Sequence, residues 1–330
     1  MSEGHQVSFD EKIRQRSCGV ITYGMTPPKL STEVSKLPAL ADTHRQRLLN
    51  IPVDAVILYD IHDEQDRAAA VPRPFPFSET VDGFDWADRL GDVGKPFVHF
   101  RCIAKYDAVA FASQLRDRFS PHAVVIVGGA AAAQQLPITM DEAYRIRRDV
   151  APAVLLGAVA IPERHAAKGN EHERMITKQV EGGASFFVTQ CVYSLEEAKN
   201  LLSDYAVLCR EKNIPMLPIL VTLTPCGSTK TLTFLRWLGV KVSKWLENDL
   251  RDAADDGDIL EESVDALLAL LKELAHFARR KNIPLGCNIE SVAVRKAELE
   301  ASIRLLTNAQ LILEEVFHDA RSKQSVVVHQ

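Results

Sequence analysis

What the chain lacks narrows its class first. It has six cysteines in 330 residues, and none stands in a CxxC pair. Cys18, Cys102, Cys191, Cys209, Cys226 and Cys287 therefore read as free thiols in a reducing cytoplasm, not as a zinc or disulfide framework. No apolar run reaches the roughly 18 residues that a transmembrane helix needs, so no membrane association is expected. The opening MSEGHQVSFDEK has no apolar signal-peptide core. No GxGxxG follows an early strand, which counts against a doubly wound dinucleotide fold. No repeat recurs at a fixed period of about 20–50 residues. Basic residues are not in excess. Lys and Arg total 39 against 44 Asp and Glu, a net charge of −5, which argues against nucleic-acid binding through the overall field.

What is present is ordinary globular material, 46% apolar and 25% charged, in a chain long enough for a large core. Eight short runs read as strands: Cys18–Tyr23, Val53–Tyr59, Phe97–Ile103, Ala123–Val127, Ala153–Ala160, Ser185–Cys191, Met216–Leu223 and Leu285–Ile289. They are mostly continuous apolar runs, the pattern of parallel strands buried on both faces. Helical patterns alternate with them over Thr32–Leu49, Tyr106–Phe119, Met140–Val150, Glu171–Glu181, Leu195–Lys212 and Val292–Leu313. Ser194 and Thr139 read as helix caps followed by acids. Eight alternations predict an α/β fold, a (β/α)8 TIM barrel over 1–330 with short N- and C-terminal extensions. Asp249–Glu262 reads as a solvated acidic connection. Val71–Phe77 reads as a proline-spaced loop at the catalytic face. Ser322–Gln330 reads as a frayed end or contact arm.

In such a barrel the chemistry sits at the C-terminal strand ends. That rule selects Tyr23 and Gly24 on strand one, Asp60, His62 and Asp63 after strand two, and His99 on strand three. It also selects Gly128 and Gly129 after strand four, Glu163 and His165 after strand five, Gln190 on strand six, Lys230 after strand seven, and Asn288 and Glu290 on strand eight. Each has a plainer reading. Asp60, His62 and Asp63 fit a solvated loop as well as a metal set, and no metal site is expected. His99 fits a hydrogen-bonded core histidine. Gly128-Gly129 fits a turn. Gly227-Ser228-Thr229-Lys230 lacks the spacing of a phosphate loop. Gln190 is more specific, because an amide at a buried strand end needs partners.

Several segments resemble the methylenetetrahydrofolate reductases. Val180–Gln190 resembles their "VDAGADFxITQ", Ala160–His165 their "AxYPExH", Val98–Ile103 their "PHLTCxD", and Val20–Lys29 their "xSFEFFPPK". The order and strand placement agree from residue 18 to about residue 310. The resemblance implies a barrel enzyme interconverting 5,10-methylenetetrahydrofolate and 5-methyltetrahydrofolate, with FAD bound and NAD(P)H as hydride source. It implies that Gln190 meets the pterin, that His99 and His165 lie near the flavin, and that Lys230 lies near the folate. Partners would be small molecules. Oligomeric state, reaction direction and NADH or NADPH preference stay open.

The departures from that pattern matter as much. The family's strand-one glutamate, which protonates the folate, is Gly24 here. The "RGD" of strand four is Val127-Gly128-Gly129. The tyrosine of "YPE" is Ile161, an acidic position is His172, and a lysine before "VDAGA" is Gln179, with Lys178 beside it. Weak or absent flavin is therefore expected, although the backbone amides of Gly128 and Gly129 remain able to bind a phosphate. Glycine has no proton to give. Glu290, on the strand beside strand one, is the expected replacement acid, with Asn288 on the same face. Tyr23, Asp60 and Glu163 are the other candidates. A salt bridge from Glu290 to Arg295 is the plainer alternative. The sequence leaves three functions open: a reductase-like oxidoreductase, a repurposed folate-dependent one-carbon transferase, and a non-catalytic folate-binding protein.

Overall fold

The computed structural model describes residues 7–63, 73–118, 123–129, 135–253, 255–292 and 295–327. Eight parallel strands close in sequence order into a barrel. They are β1 (Ile21–Met25), β2 (Ala55–Leu58), β3 (Phe97–Cys102), β4 (Ala123–Val127), β5 (Leu156–Ala160), β6 (Phe186–Cys191), β7 (Ile219–Leu223) and β8 (Leu285–Glu290). β8 pairs back onto β1, with Gly24 opposite Glu290. Helices fill the connections: α1 (Phe9–Arg14), α2 (Leu37–Asn50), α3 (Gly83–Leu90), α4 (Ala108–Asp117), α5 (Met140–Val150), α6 (Pro162–Lys168), α7 (Glu171–Val180), α8 (Leu195–Glu211), α9 (Thr229–Trp237), α10 (Lys244–Asp252), α11 (Asp256–Lys281) and α12 (Lys296–Val327). The fold is the (β/α)8 barrel that the alternation of strand and helix patterns predicts. No described helix is long and apolar enough to cross a membrane.

The period of two along each strand sorts side chains between the barrel axis and the helix layer. Val20, Ala55, Ile57, Val98, Phe100, Val125, Phe186, Val188 and Leu220 form one inner cluster. α1 closes the N-terminal end of the barrel. Its capping box of Ser8 and Glu11 starts the helix, and its buried Phe9 and Ile13 join the inner cluster, with the Phe9 ring edge-on to Phe186 at 5.7 Å. Ile21, Tyr23 and Met25 face the larger outer cluster shared with the helices.

Element boundaries follow backbone chemistry. β1 begins at Ile21, later than the apolar run suggests, because Gly19 sits at a φ of 77°. β7 begins at Ile219, directly after Pro218, which has no N–H for the ladder. Pro38 opens the α2 helix proper, after a short 3-10 turn over Val34–Lys36. Thr139 and Ser194 cap α5 and α8 as expected, each hydroxyl accepting a backbone N–H three residues on. The acidic segment Asp249–Glu262 is not one connection. α10 runs through Asp252, and the Asp255 carboxylate accepts the N–H groups of Gly257 and Asp258 to start α11. α12 begins at Lys296 and continues to Val327, so most of the segment expected to fray is helical. Residues 328–330 lie outside the described residues, as do Val71 and Pro72 of the proline-spaced loop.

The remainder of that loop packs onto α9 at the C-terminal end of the barrel. The Arg73 guanidinium lies over the rings of Phe77, Phe234 and Trp237 at 5.4, 5.4 and 5.5 Å. Phe75 meets Phe234 edge-on at 5.3 Å.

Closure between β1 and β8 depends on a missing side chain. A Cβ on Gly286 would lie 2.2 Å from the Val20 carbonyl oxygen and 2.8 Å from a Leu220 methyl. Backbone cannot yield as a flexible side chain can. Gly286→Ala should destabilise the protein by about 1–3 kcal/mol, read as a lower urea midpoint by circular dichroism. An unchanged midpoint would show that the closure seam is free to widen.

Candidate functional site

The inner faces of β1, β2, β6, β7 and β8 meet in a polar layer at the C-terminal end. Thr22 Oγ1 donates to Asn288 Oδ1 at 3.0 Å. Asn288 Nδ2 donates to Tyr59 OH at 2.9 Å and to Thr222 Oγ1 at 3.3 Å. Glu290 completes the layer, with 8% of its surface exposed. Its carboxyl group is hydrogen-bonded by Tyr59, Asn288 and Cys191, and Cys191 Sγ stands 3.2 Å from Oε1. Burial pushes the Glu290 carboxyl above the usual carboxylate range, and the three hydrogen bonds pull it back only in part. Burial and the neighbouring Glu290 push the Tyr59 hydroxyl well up. Burial, Glu290 and the charge of Glu163 do the same to the Cys191 thiol.

Gly24 explains the arrangement. A Cβ there would lie 2.8 Å from both Cε2 and OH of Tyr59, and 3.2 Å from the Glu290 Cβ. The space that a strand-one side chain would fill is filled by Tyr59 from β2 and Glu290 from β8. Strand parity carried the signal: Ala55, Ile57 and Tyr59 alternate on one face, and glycine next door leaves room for the largest of them. Tyr59, Cys191, Thr22 and Thr222 are the members of this layer that the sequence reading did not single out.

The other candidates are distributed as follows. Tyr23 faces the helix layer, its hydroxyl 3.5 Å from Ser302 Oγ. Asp60 is buried beside the layer at the ends of β2 and β3. It accepts from Cys102 N at 2.9 Å and Tyr106 OH at 3.0 Å and pairs with Lys105. Glu163 accepts the Lys241 N–H at 3.3 Å, and burial raises its pKa. Arg295 pairs with Glu298. Gln190 donates its amide N–H to the Leu238 carbonyl at 2.7 Å. Lys230 is exposed in the first turn of α9, its ammonium 4.6 Å from the Phe75 ring centroid. Gly128 and Gly129 follow β4, and Gly128 O accepts from Cys102 Sγ at 3.5 Å.

The side chains that the resemblance assigns to a flavin are each engaged elsewhere. His99 lies between β3 and α3, its ring 4.3 Å from the Phe84 centroid. His165 Nε2 is 2.9 Å from Asp204 Oδ2, between α6 and α8. Lys178 Nζ donates to Val159 O at 2.6 Å and approaches Glu171 at 3.4 Å. Gln179 bridges Tyr205 OH and Pro215 O, beside the segment that leads into the start of β7. These residues face different compartments of the fold, and as a set they do not fit a flavin.

Two surface clefts lie apart from this layer. One, of about 440 Å³, opens beside Lys12, Asp54 and Lys95 at the N-terminal end. The other, of about 640 Å³, is lined by acids of α10 and α11. In barrels the N-terminal face serves stability and the C-terminal face serves chemistry, so convergence of polar side chains, not cleft size, marks the candidate site.

The family model for methylenetetrahydrofolate reductase matches residues 132–278. A solved structure from Clostridium thermocellum is 40% identical, covering 92% of this chain and 99% of that one at a TM-score of 0.80. It is described as an uncharacterized protein that binds two copies of 5-methyl-5,6,7,8-tetrahydrofolic acid. A family 10 xylanase from Thermobacillus composti aligns at 14% identity over 89% of this chain and 98% of that one, with a TM-score of only 0.45. No curated protein sequence gives a match. The chain belongs to the methylenetetrahydrofolate reductase family.

The raised Glu290 pKa has a consequence for stability. A carboxyl that titrates higher in the folded than in the unfolded chain holds its proton longer when folded. Stability then falls as pH rises from the unfolded value, near 4.5, through the folded one. Glu290→Gln, which mimics the protonated form, should match wild type near pH 4.5 and exceed it increasingly towards pH 8. Urea unfolding across that range reads the difference, and a constant difference would show that Glu290 titrates normally.

Proposed function

We propose that this chain binds a reduced folate at the C-terminal mouth of the barrel and interconverts its 5,10-methylene and 5-methyl forms, with Glu290 as the acid. The observation that carries this reading is a buried carboxyl, raised in pKa and held by Tyr59, Asn288 and Cys191, beside the Gly24 position where the family keeps its proton donor. The folate bound by the Clostridium thermocellum relative supports the ligand class. Gln190 and Lys230 lie on the side of the mouth formed by β6 and α9. The Gln190 amide N–H already serves Leu238, so its carbonyl is the end left to accept from a pterin.

The chemistry asks for one proton and one hydride. Protonation of N10 lets the bond from the methylene carbon to N10 break, leaving an iminium at N5, and hydride on that carbon gives the N5 methyl group. A buried neutral carboxyl can supply the proton, which an ionised surface acid cannot do at neutral pH. The Tyr59 hydroxyl and Asn288 amide hold that carboxyl in place. NADH or NADPH is the hydride source that the family implies. Flavin has no part in the proposal, because the side chains that would hold it do not converge.

One observation favours a second reading. With the flavin set dispersed and Glu290 buried against the Tyr59 hydroxyl, the barrel also suits a folate-binding protein without redox turnover. The test assays purified protein with 5,10-methylenetetrahydrofolate and NADH or NADPH, alongside calorimetry with 5-methyltetrahydrofolate. Wild type should bind folate and consume the nicotinamide. Glu290→Gln should lower turnover roughly 100-fold while folate affinity stays within a few-fold. Folate binding with no turnover would establish the second reading, and no folate binding would refute both.

A further inference from the structure

A second cluster stands on the outer flank of the barrel, where α6, α7 and α8 pack together. His165 comes from α6, His172 from α7 and Asp204 from α8. One ring nitrogen of each histidine and one Asp204 carboxylate oxygen all lie within 4.8 Å of one another. We infer that these three residues form a binding site for one divalent transition-metal ion of the zinc class.

The donor chemistry decides the class. Two imidazoles and one carboxylate suit zinc and its first-row neighbours, whereas calcium and magnesium need oxygen-rich shells of six or more ligands. Three protein ligands with an open fourth position is an established zinc arrangement. The geometry is close to closed already. His165 Nε2 and Asp204 Oδ2 are 2.9 Å apart, sharing a proton. Tetrahedral ligands about 2.0–2.1 Å from zinc stand roughly 3.3 Å from each other, so a cation replaces that proton with a small opening of the pair. His172 stands edge-on to His165, with ring centroids 5.1 Å apart at 82°. Side-chain rotation brings its nitrogen the remaining distance.

Burial gives an independent reason. His165 is only 6% exposed. The Nδ1 atoms of both His165 and His172 are buried without a hydrogen-bond partner, an unusual condition for polar atoms in a native interior. A ring nitrogen that accepts no proton donor is available as a metal ligand. Asp204 is 52% exposed by side chain, so the site opens to solvent on that side and water can take the fourth position. Each ligand sits on a different helix, so the ion would clip α6 and α7 to α8. The inference does not depend on the folate reading, because the cluster lies on the helix layer and not at the mouth.

The test uses tag-free full-length protein, stripped with a chelator and exchanged into metal-free buffer near neutral pH. Calorimetric titration with Zn²⁺ should give one ion per chain, and Co²⁺ should give the intense visible absorption of a tetrahedral site. His172→Ala and Asp204→Asn should each weaken Zn²⁺ binding at least roughly tenfold. Circular dichroism should show the wild-type fold, and 5-methyltetrahydrofolate titration should show unchanged behaviour at the mouth. Absence of Zn²⁺ binding in the wild type would overturn the inference. Equal binding in both variants would also overturn it, by placing the ion on cysteine thiols. Asp204 lies on an exposed helix face, so Asp204→Asn keeps the test decisive if His172→Ala fails to fold.

Discussion

The mouth of this barrel depends on one close approach, the Tyr59 ring lying where a Gly24 side chain would begin. An eight-stranded barrel is only wide enough inside for its own side chains. When position 24 contributes none, the vacated volume must be filled from neighbouring strands. β2 fills it with an aromatic ring and β8 with a carboxyl-bearing side chain, the Tyr59 Cε2 and hydroxyl 2.8 Å and the Glu290 Cβ 3.2 Å from the missing Cβ. The same substitution that removes an acid from strand one therefore makes room for one from strand eight. A larger residue at 24 would displace Tyr59 first and, through its hydrogen bond, disturb Glu290.

Two carboxyl groups at this end of the barrel show how environment assigns roles. Asp60 faces an ammonium, a phenol and a backbone N–H, from Lys105, Tyr106 and Cys102. Through those partners the group ties β2 to β3. Glu290 faces a phenol, an amide and a thiol. Neutral donors offset part of the desolvation cost but bring no opposite charge, so burial prevails and the proton is held. The absence of a cation beside Glu290 leaves burial as the dominant influence on its carboxyl.

Much of the fold was legible in the sequence because burial on both faces makes parallel strands continuous apolar runs, and all eight were placed. Their starts were less legible. Gly19 at positive φ and Pro218 without an N–H delay β1 and β7, and neither effect changes the apolar pattern. Glu290 and Asn288 were legible as a pair through the two-residue period. Tyr59 was visible as a strand end, but its role was not, because it depends on which side chain a neighbouring strand omits. The flavin expectation illustrates the converse difficulty. His165, Lys178 and Gln179 occupy recognisable sequence positions, yet their partners are Asp204, Glu171 and Tyr205, residues distant in sequence or unremarkable in pattern.

Strand six shows why position alone does not transfer a role. The β6–β7 register pairs Val188 with Leu220 and then Cys191 with Thr222, so two residues on β6 stand against one on β7. This bulge resets the alternation of inner and outer side chains. Without it, Val188 and Gln190 would share the inner face and Cys191 would point to the helices. With it, Cys191 turns to Glu290, Thr189 Oγ1 accepts the Thr222 N–H, and the Gln190 amide reaches the end of α9. The strand thus delivers two groups to two places: a thiol to the acid on the barrel axis, and an amide to the rim where α9 meets the mouth. A ligand spanning from Glu290 to α9 would meet both, one through the acid that the thiol supports and the other through the amide oxygen. The bulge therefore couples the position of Glu290 to that of Gln190, and its register sets the distance between them.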